Sequence, residues 1–174
     1  MRRFRSSLRL QQFVLSLARY NHVNYKSYKE ENCPATLGLL PEWIDVANNK
    51  KLLFQVLPSV LSECGEGTVL LTDAATPSIQ KYLRRLSQSH NIPYYYGAQY
   101  QGCESDTVVF VYTGTGDTTA GYLSSLELMS RARERLVIIT LDVGYTGYKS
   151  FINQLRYFSG CFKLIWNEIA FLQN

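Results

Sequence analysis

Two short arrays in this chain combine residue types that can hold a phosphate or a nucleotide. The first, Ser130-Arg131-Ala132-Arg133, sets two guanidinium groups close together at the end of a helical pattern. A rigidly held guanidinium offers a planar fork of donors that matches phosphate oxygens. Aimed at a phosphoryl group in transfer, it stabilises the charge that develops, an effect of about 10³–10⁵ in rate in GTPases. The second array, Gln101-Gly102-Cys103-Glu104, is a polar elbow carrying an amide, a glycine and a carboxylate just before an apolar run. A third stretch, Val143 to Ser150, invites comparison with a phosphate loop. Such a loop needs glycine directly before its lysine, whereas Tyr148 stands there and Gly144 lies one residue too close to Lys149. We read it as a strand-to-helix turn; a small α/β enzyme built on that loop would need Lys149 as a phosphate ligand. Gly114-Thr115-Gly116-Asp117 lacks the third glycine of a dinucleotide fingerprint and reads as another turn.

The elements that must position these arrays can be read from periodicity. Thr107 to Tyr112 is a β-branched, apolar run bounded by turn residues, as in a buried strand. From about Thr119, Leu123, Leu126, Met129 and Ala132 recur at helical spacing, and Arg131, Arg133 and Arg135 are expected to close that helix. A second buried strand, Leu136 to Leu141, follows at once, so the centre of the chain reads as a βαβ unit of a parallel sheet. Upstream, Leu10, Val14, Leu17 and Ala18 share one helical face, with Ser6 or Ser7 as N-cap. Asn21 to Ala35 shows no period and reads as an irregular loop of aromatic and basic residues. Gly38 to Val46 suggests a short strand that Pro41 would confine to a sheet edge. Asn48 to Ser62 reads as a helix, with Pro58 counting against its full length. Thr68 to Thr72 is a central strand, Thr76-Pro77 opens a basic amphipathic helix, and Ile92 to Tyr96 is a short strand leading to the elbow. A helix near Lys149 to Phe158 and a strand, Phe162 to Trp166, complete the sheet. Ligands of such sheets collect outside the carboxyl ends of the strands, which places Asp73 near a candidate site.

Three of these segments, taken in order, resemble a known family. FRSSLRLQQF resembles the (Y/F)RS-x-x-x-I-x-x-F element, QGCESDTVVFV the QGxE-x-D-x-V element, and LELMSRARERLVIIT the last motif, (T/S)RA(R/K)xxL, of superfamily 1 helicases. All three belong to the second RecA-like domain of those enzymes. The resemblance implies one α/β RecA-like domain, a mostly parallel central sheet flanked by helices, over residues 1–174. Its motifs would occupy residues 4–141, with 142–174 supplying a closing helix and strand. It implies that Arg131 is the arginine finger of an ATP site and Arg5 a second phosphate contact. Glu104 and Gly102 would sit by the nucleotide, and Gln101 would couple that site to single-stranded DNA or RNA. The phosphate loop and magnesium-binding acidic motif belong to the family's first RecA-like domain, which this sequence does not contain. ATP and Mg are therefore expected only together with a P-loop-bearing partner domain, in cis or in trans, and the chain alone is expected to be inactive. The alternative is a non-catalytic, degenerate helicase-like binding or scaffold module.

Composition fits that reading without specifying it. The 174 residues are 46% hydrophobic and 18% charged, with a net charge of +4, as in a globular, mildly basic protein. Cys33, Cys64, Cys103 and Cys161 form no CxxC pair, so neither a metal site nor a disulfide framework is expected. The Arg- and Ser-rich start resembles a mitochondrial presequence, but we assign it to the first amphipathic helix and expect an intracellular protein, nuclear or cytoplasmic. No apolar run reaches the length of a membrane span, and no membrane partner is expected.

Overall fold

A computed structural model describes residues 6–22, 37–100, 103–115 and 125–167. Helix α1 (Leu8–Tyr20) is followed by β1 (Glu42–Asp45), α2 (Lys50–Glu63), β2 (Thr68–Thr72), α3 (Pro77–His90) and β3 (Tyr94–Tyr96). Then come β4 (Ser105–Tyr112), β5 (Ala132–Thr140), α4 (Thr146–Tyr157) and β6 (Lys163–Asn167). Residues 125–129 are helical. The six strands form one sheet in the order β3-β2-β4-β5-β1-β6, and every pairing is parallel.

Strand alternation divides the core in two. In β4, Val108, Phe110 and Tyr112 face α1, α4 and residues 126–129, whereas Val109 and Val111 face α2 and α3. β5 repeats the pattern, with Leu136 and Ile138 on one side and Val137 and Ile139 on the other. A sheet buried on both faces explains why these strands read as continuous apolar runs.

Several local expectations are corrected. β1 lies between β5 and β6, inside the sheet, because Pro41 precedes the strand and takes no donor from its ladder; its carbonyl accepts from Lys163 N at 2.7 Å. α2 runs unbroken through Pro58. The proline costs about 3 kcal/mol, while Leu52, Leu53, Val56, Leu57, Val60 and Leu61 are all buried, each stabilising by about 1.5–3 kcal/mol. Burial wins. Ser7 occupies the N-cap of α1, but no side-chain cap bond forms there. The largest correction concerns the arginines. The helical residues stop at 129, and Ala132 opens β5, so Arg133 and Arg135 lie on a strand. Ser105 N donates to Arg131 O at 3.0 Å and Ser105 pairs with Ala132, extending the ladder over residues whose helix propensity pointed the other way.

Candidate functional site

The amino ends of β4 and β5 gather the described parts of the three motif segments. Ser7 N donates to Arg133 O at 3.0 Å, docking the start of α1 against β5. The Ser6 hydroxyl reaches Ala132 O at 2.7 Å and Ser130 O at 3.1 Å, bracketing Arg131. Ser6 is itself held by Gln11, whose Nε2 donates to the Ser6 carbonyl at 2.7 Å. Arg131 sits half-buried in the turn that enters β5, its N–H on Leu128 O at 3.2 Å.

Glu104 lies at the same edge, and its Oε1 accepts from Arg133 Nη1 at 3.2 Å. The other arm of Arg133, Nη2, meets Asp106 Oδ1 at 2.8 Å. One guanidinium therefore ties the elbow to β4. Asp106 leans on the turn before β2: a Cβ at Gly67, whose φ is +79°, would stand 2.9 Å from Asp106 Oδ2. Tyr100 and Ser105 share a short hydroxyl–hydroxyl hydrogen bond beside this cluster, and burial raises the Tyr100 phenol above its ordinary range. Further along the edge, Arg135 donates from Nε and Nη2 to Glu42 Oε2 at 3.2 and 2.9 Å and lies 3.7 Å from Glu63.

Of the residues singled out in the sequence, Arg131 and Glu104 are thus brought to one edge; Arg5, Gln101 and Gly102 lie outside the described residues. Three participants were not anticipated. Arg133 and Asp106 form ion pairs, and the Ser6 hydroxyl braces the Arg131 turn instead of capping a helix. A strand beginning at Ala132 would have signalled the first of these, since period-two alternation puts Arg133 and Arg135 on one side.

At the opposite edge the polar groups satisfy one another. Asp73 Oδ1 accepts from Thr113 N at 2.7 Å and Thr113 Oγ1 at 3.0 Å, and Oδ2 from Gly114 N at 2.9 Å and Thr115 N at 3.2 Å. Burial pushes the Asp73 carboxyl up, with these four donors pulling against it. Asp45 Oδ1 collects Tyr148 OH at 2.8 Å, Thr140 Oγ1 at 3.0 Å and Ala47 N at 3.0 Å. Burial first, and the Asp45 carboxylate second, raise the Tyr148 phenol. Gly144 N donates to Asp142 Oδ1 at 2.9 Å in the turn from β5 into α4, and Lys149 is exposed. Gly114, with φ of +78°, packs its backbone directly against Gly147 and Tyr148, where a side chain would collide. The sequence placed a candidate site at this edge through Asp73; the structure gives Asp73 a bracing role and places Glu104 and Arg131 at the amino edge instead.

No protein-family model matches this chain, and no curated protein matches it. Among solved structures it is similar to the C-terminal domain of a possible DNA helicase from Lactobacillus plantarum WCFS1. The TM-score is 0.61 at 12% sequence identity, over 94% of this chain and 99% of that one. At that identity the likeness concerns the fold, and the chain has the α/β, RecA-like fold of that helicase C-terminal domain.

Proposed function

We propose that this chain, as one domain over residues 1–174, is the C-terminal half of a superfamily 1 nucleic-acid helicase. It would work with a P-loop-bearing first RecA-like domain, in cis or in trans, on single-stranded DNA or RNA. The observation that carries this reading is the meeting of three distant segments at one sheet edge: Ser6 on Ser130 and Ala132, Ser105 on Arg131, and Glu104 on Arg133. Sequence order separates them widely; the fold does not.

The residues fit half of a nucleotide site. Arg131 offers a cationic fork to a phosphate, and Glu104 a carboxylate to a sugar hydroxyl. Arg5 is assigned to a second phosphate contact, Gly102 to the nucleotide and Gln101 to the coupling with nucleic acid. The metal-holding acidic motif and phosphate loop would come from the partner domain, so ATP and Mg belong to the joint site. When bound there, the magnesium ion would neutralise charge on the phosphates. This chain's own part is to aim Arg131 across the domain interface on closure, with Ser6 and the β5 ladder keeping the turn rigid. Closure and reopening then move the two domains relative to each other along the strand.

ATP hydrolysis measured with single-stranded DNA and with RNA tests the reading, for the chain alone and mixed with the P-loop half of a superfamily 1 helicase. The expected outcome is no turnover alone, turnover in the mixture, and its loss in Arg131→Ala. The second reading, a non-catalytic helicase-like module, draws support from Glu104, one of whose carboxylate oxygens is already engaged by Arg133. Strand binding without turnover in any mixture would select it. Nucleotide turnover by the isolated chain would overturn both.

A further inference from the structure

The chain carries eighteen lysines and arginines against fourteen aspartates and glutamates. Part of that excess lies on the α2–α3 face of the sheet. Helices α2 and α3 together hold five cations, Lys50, Lys51, Lys81, Arg84 and Arg85, and one carboxylate, Glu63. α1 and α4, on the other face, hold Arg9, Arg19, Lys149 and Arg156 and no carboxylate, so charge alone does not single out either face. All five cations of α2 and α3 are exposed. Among the described residues none of them forms an ion pair, whereas Arg133 and Arg135 at the amino edge are paired with acids. Cations left without carboxylate neighbours form a positive surface and not a laced, solvated one.

A second, chemically different feature lies among them. Phe54 of α2 and Tyr82 of α3 meet with ring centroids 4.2 Å apart, and Phe54 remains 42% exposed. Tyr82 OH donates to Phe54 O at 3.3 Å, which fixes the pair across the two helices. Helical spacing puts Lys51 three residues before Phe54 and Arg85 three after Tyr82, with Lys81 adjoining Tyr82 in sequence. Both helices leave the carboxyl ends of their strands, so the rings and these cations occupy the same end of the face. A polyanion alone would need only the cations. An anchored, partly exposed ring pair flanked by them suits a ligand that alternates phosphates with unstacked bases.

We propose that the α2–α3 face is a contact surface for single-stranded nucleic acid, with Phe54 and Tyr82 as a stacking platform and Lys51, Lys81 and Arg85 as phosphate contacts. This goes beyond the helicase reading, which concerns the amino edge, and rests on the ring pair and the cations beside it. Its test does not involve nucleotide hydrolysis, so either idea can fail while the other stands.

The experiment is fluorescence anisotropy of the full chain with labelled oligonucleotides of about 20 residues, oligo-dT, oligo-U and a duplex of the same length, over a range of salt. Lys51→Glu/Lys81→Glu/Arg85→Glu is expected to weaken single-strand binding by about tenfold or more and to lower the salt slope by about two. A matched reversal on the opposite face, Arg19→Glu/Lys149→Glu/Arg156→Glu, is expected to leave the salt slope nearer to that of the natural chain. Phe54→Leu, which keeps the packing but removes the ring, should weaken single-strand binding about five- to tenfold and leave duplex binding unchanged. Comparison of oligo-dT with oligo-U separates DNA from RNA as the source. Absence of oligonucleotide binding by the natural chain would overturn the proposal, as would equal losses from reversal on either face. Binding insensitive to Phe54→Leu and displaced equally well by polyglutamate would overturn it too, in favour of an acidic protein partner. Circular dichroism and thermal unfolding of each variant separate loss of contact from loss of fold.

Discussion

The two edges of the central sheet are built from similar residues and put to different ends. At the carboxyl edge Asp73 and Asp45 each accept several hydrogen bonds from neighbouring segments, and Gly114 lets two backbones touch. Those carboxylates brace the sheet. At the amino edge the charged groups pair with one another across strands, Arg133 with Glu104 and Asp106, and Arg135 with Glu42. Their side chains stay partly in water, with Arg133 and Asp106 35% and 45% exposed. Carboxylates that accept three or four hydrogen bonds are costly to disturb, whereas partly exposed ion pairs contribute little and can rearrange. The general rule sends ligands of such sheets to the carboxyl ends. Here, among the described residues, the carboxylates of that edge are engaged by their neighbours, and the half-exposed ion pairs lie opposite.

The sharpest way to break this comparison is Arg131→Ala in the reconstituted two-domain mixture, where ATP turnover should fall about 10³-fold or more. Arg131→Lys should restore little of it, since an ammonium lacks the planar fork. A loss of stability instead of turnover would make the amino edge a brace like its counterpart. Next in size is Asp73→Asn at the carboxyl edge. The amide turns an NH₂ toward backbone donors, and urea unfolding should show a loss of about 2–4 kcal/mol. An unchanged midpoint would remove the contrast from the other side.

Smaller is the effect of Tyr148→Phe, about 1 kcal/mol near neutral pH for one hydrogen bond. Its pH dependence is more telling. The folded phenol ionises at higher pH than the unfolded one, so the folded state binds more protons above the ordinary tyrosine value of about 10. Stability should therefore fall as pH rises from there toward the folded value, and Tyr148→Phe should flatten that part of the profile. Smallest is Arg133→Gln, for which exposure limits the stability loss to about 1 kcal/mol or less. Unfolding midpoints measured at low and high salt would check it, since a screened pair loses its contribution as salt rises.

How much of this could be read beforehand depended on which force governed each segment. The strand at Thr68–Thr72 and the buried runs of β4 and β5 were legible because apolar β-branched residues leave no other assignment. α2 was legible to within a residue or two, and its proline proved tolerable because six buried side chains outweigh one missing bond. Arg131 to Arg135 was misread because arginine and glutamate favour helices locally, while here Glu104, Asp106 and Glu42 across the sheet decide the outcome. Those partners lie far away in sequence, beyond any local window. Similarly, Ser6 resembles a cap from its neighbours alone, and its carbonyl acceptors near Arg131 become evident only in three dimensions. The three segments could be picked out in order from the sequence; the edge of the sheet on which their described parts meet could not.

The placement of β1 between β5 and β6 also has a consequence for the order in which the molecule can form. β1 precedes both of its neighbours in the chain, and neither exists until residues 132–140 and 163–167 have been made. Until then Trp43 and Ile44, both buried in the finished sheet, have no ladder to join. By contrast, β2 and β3 pair across one short crossover and can associate early. β1 is therefore secured later than its place in the chain suggests, and during that interval a nascent chain presents Trp43 and Ile44 to chaperones and to other chains.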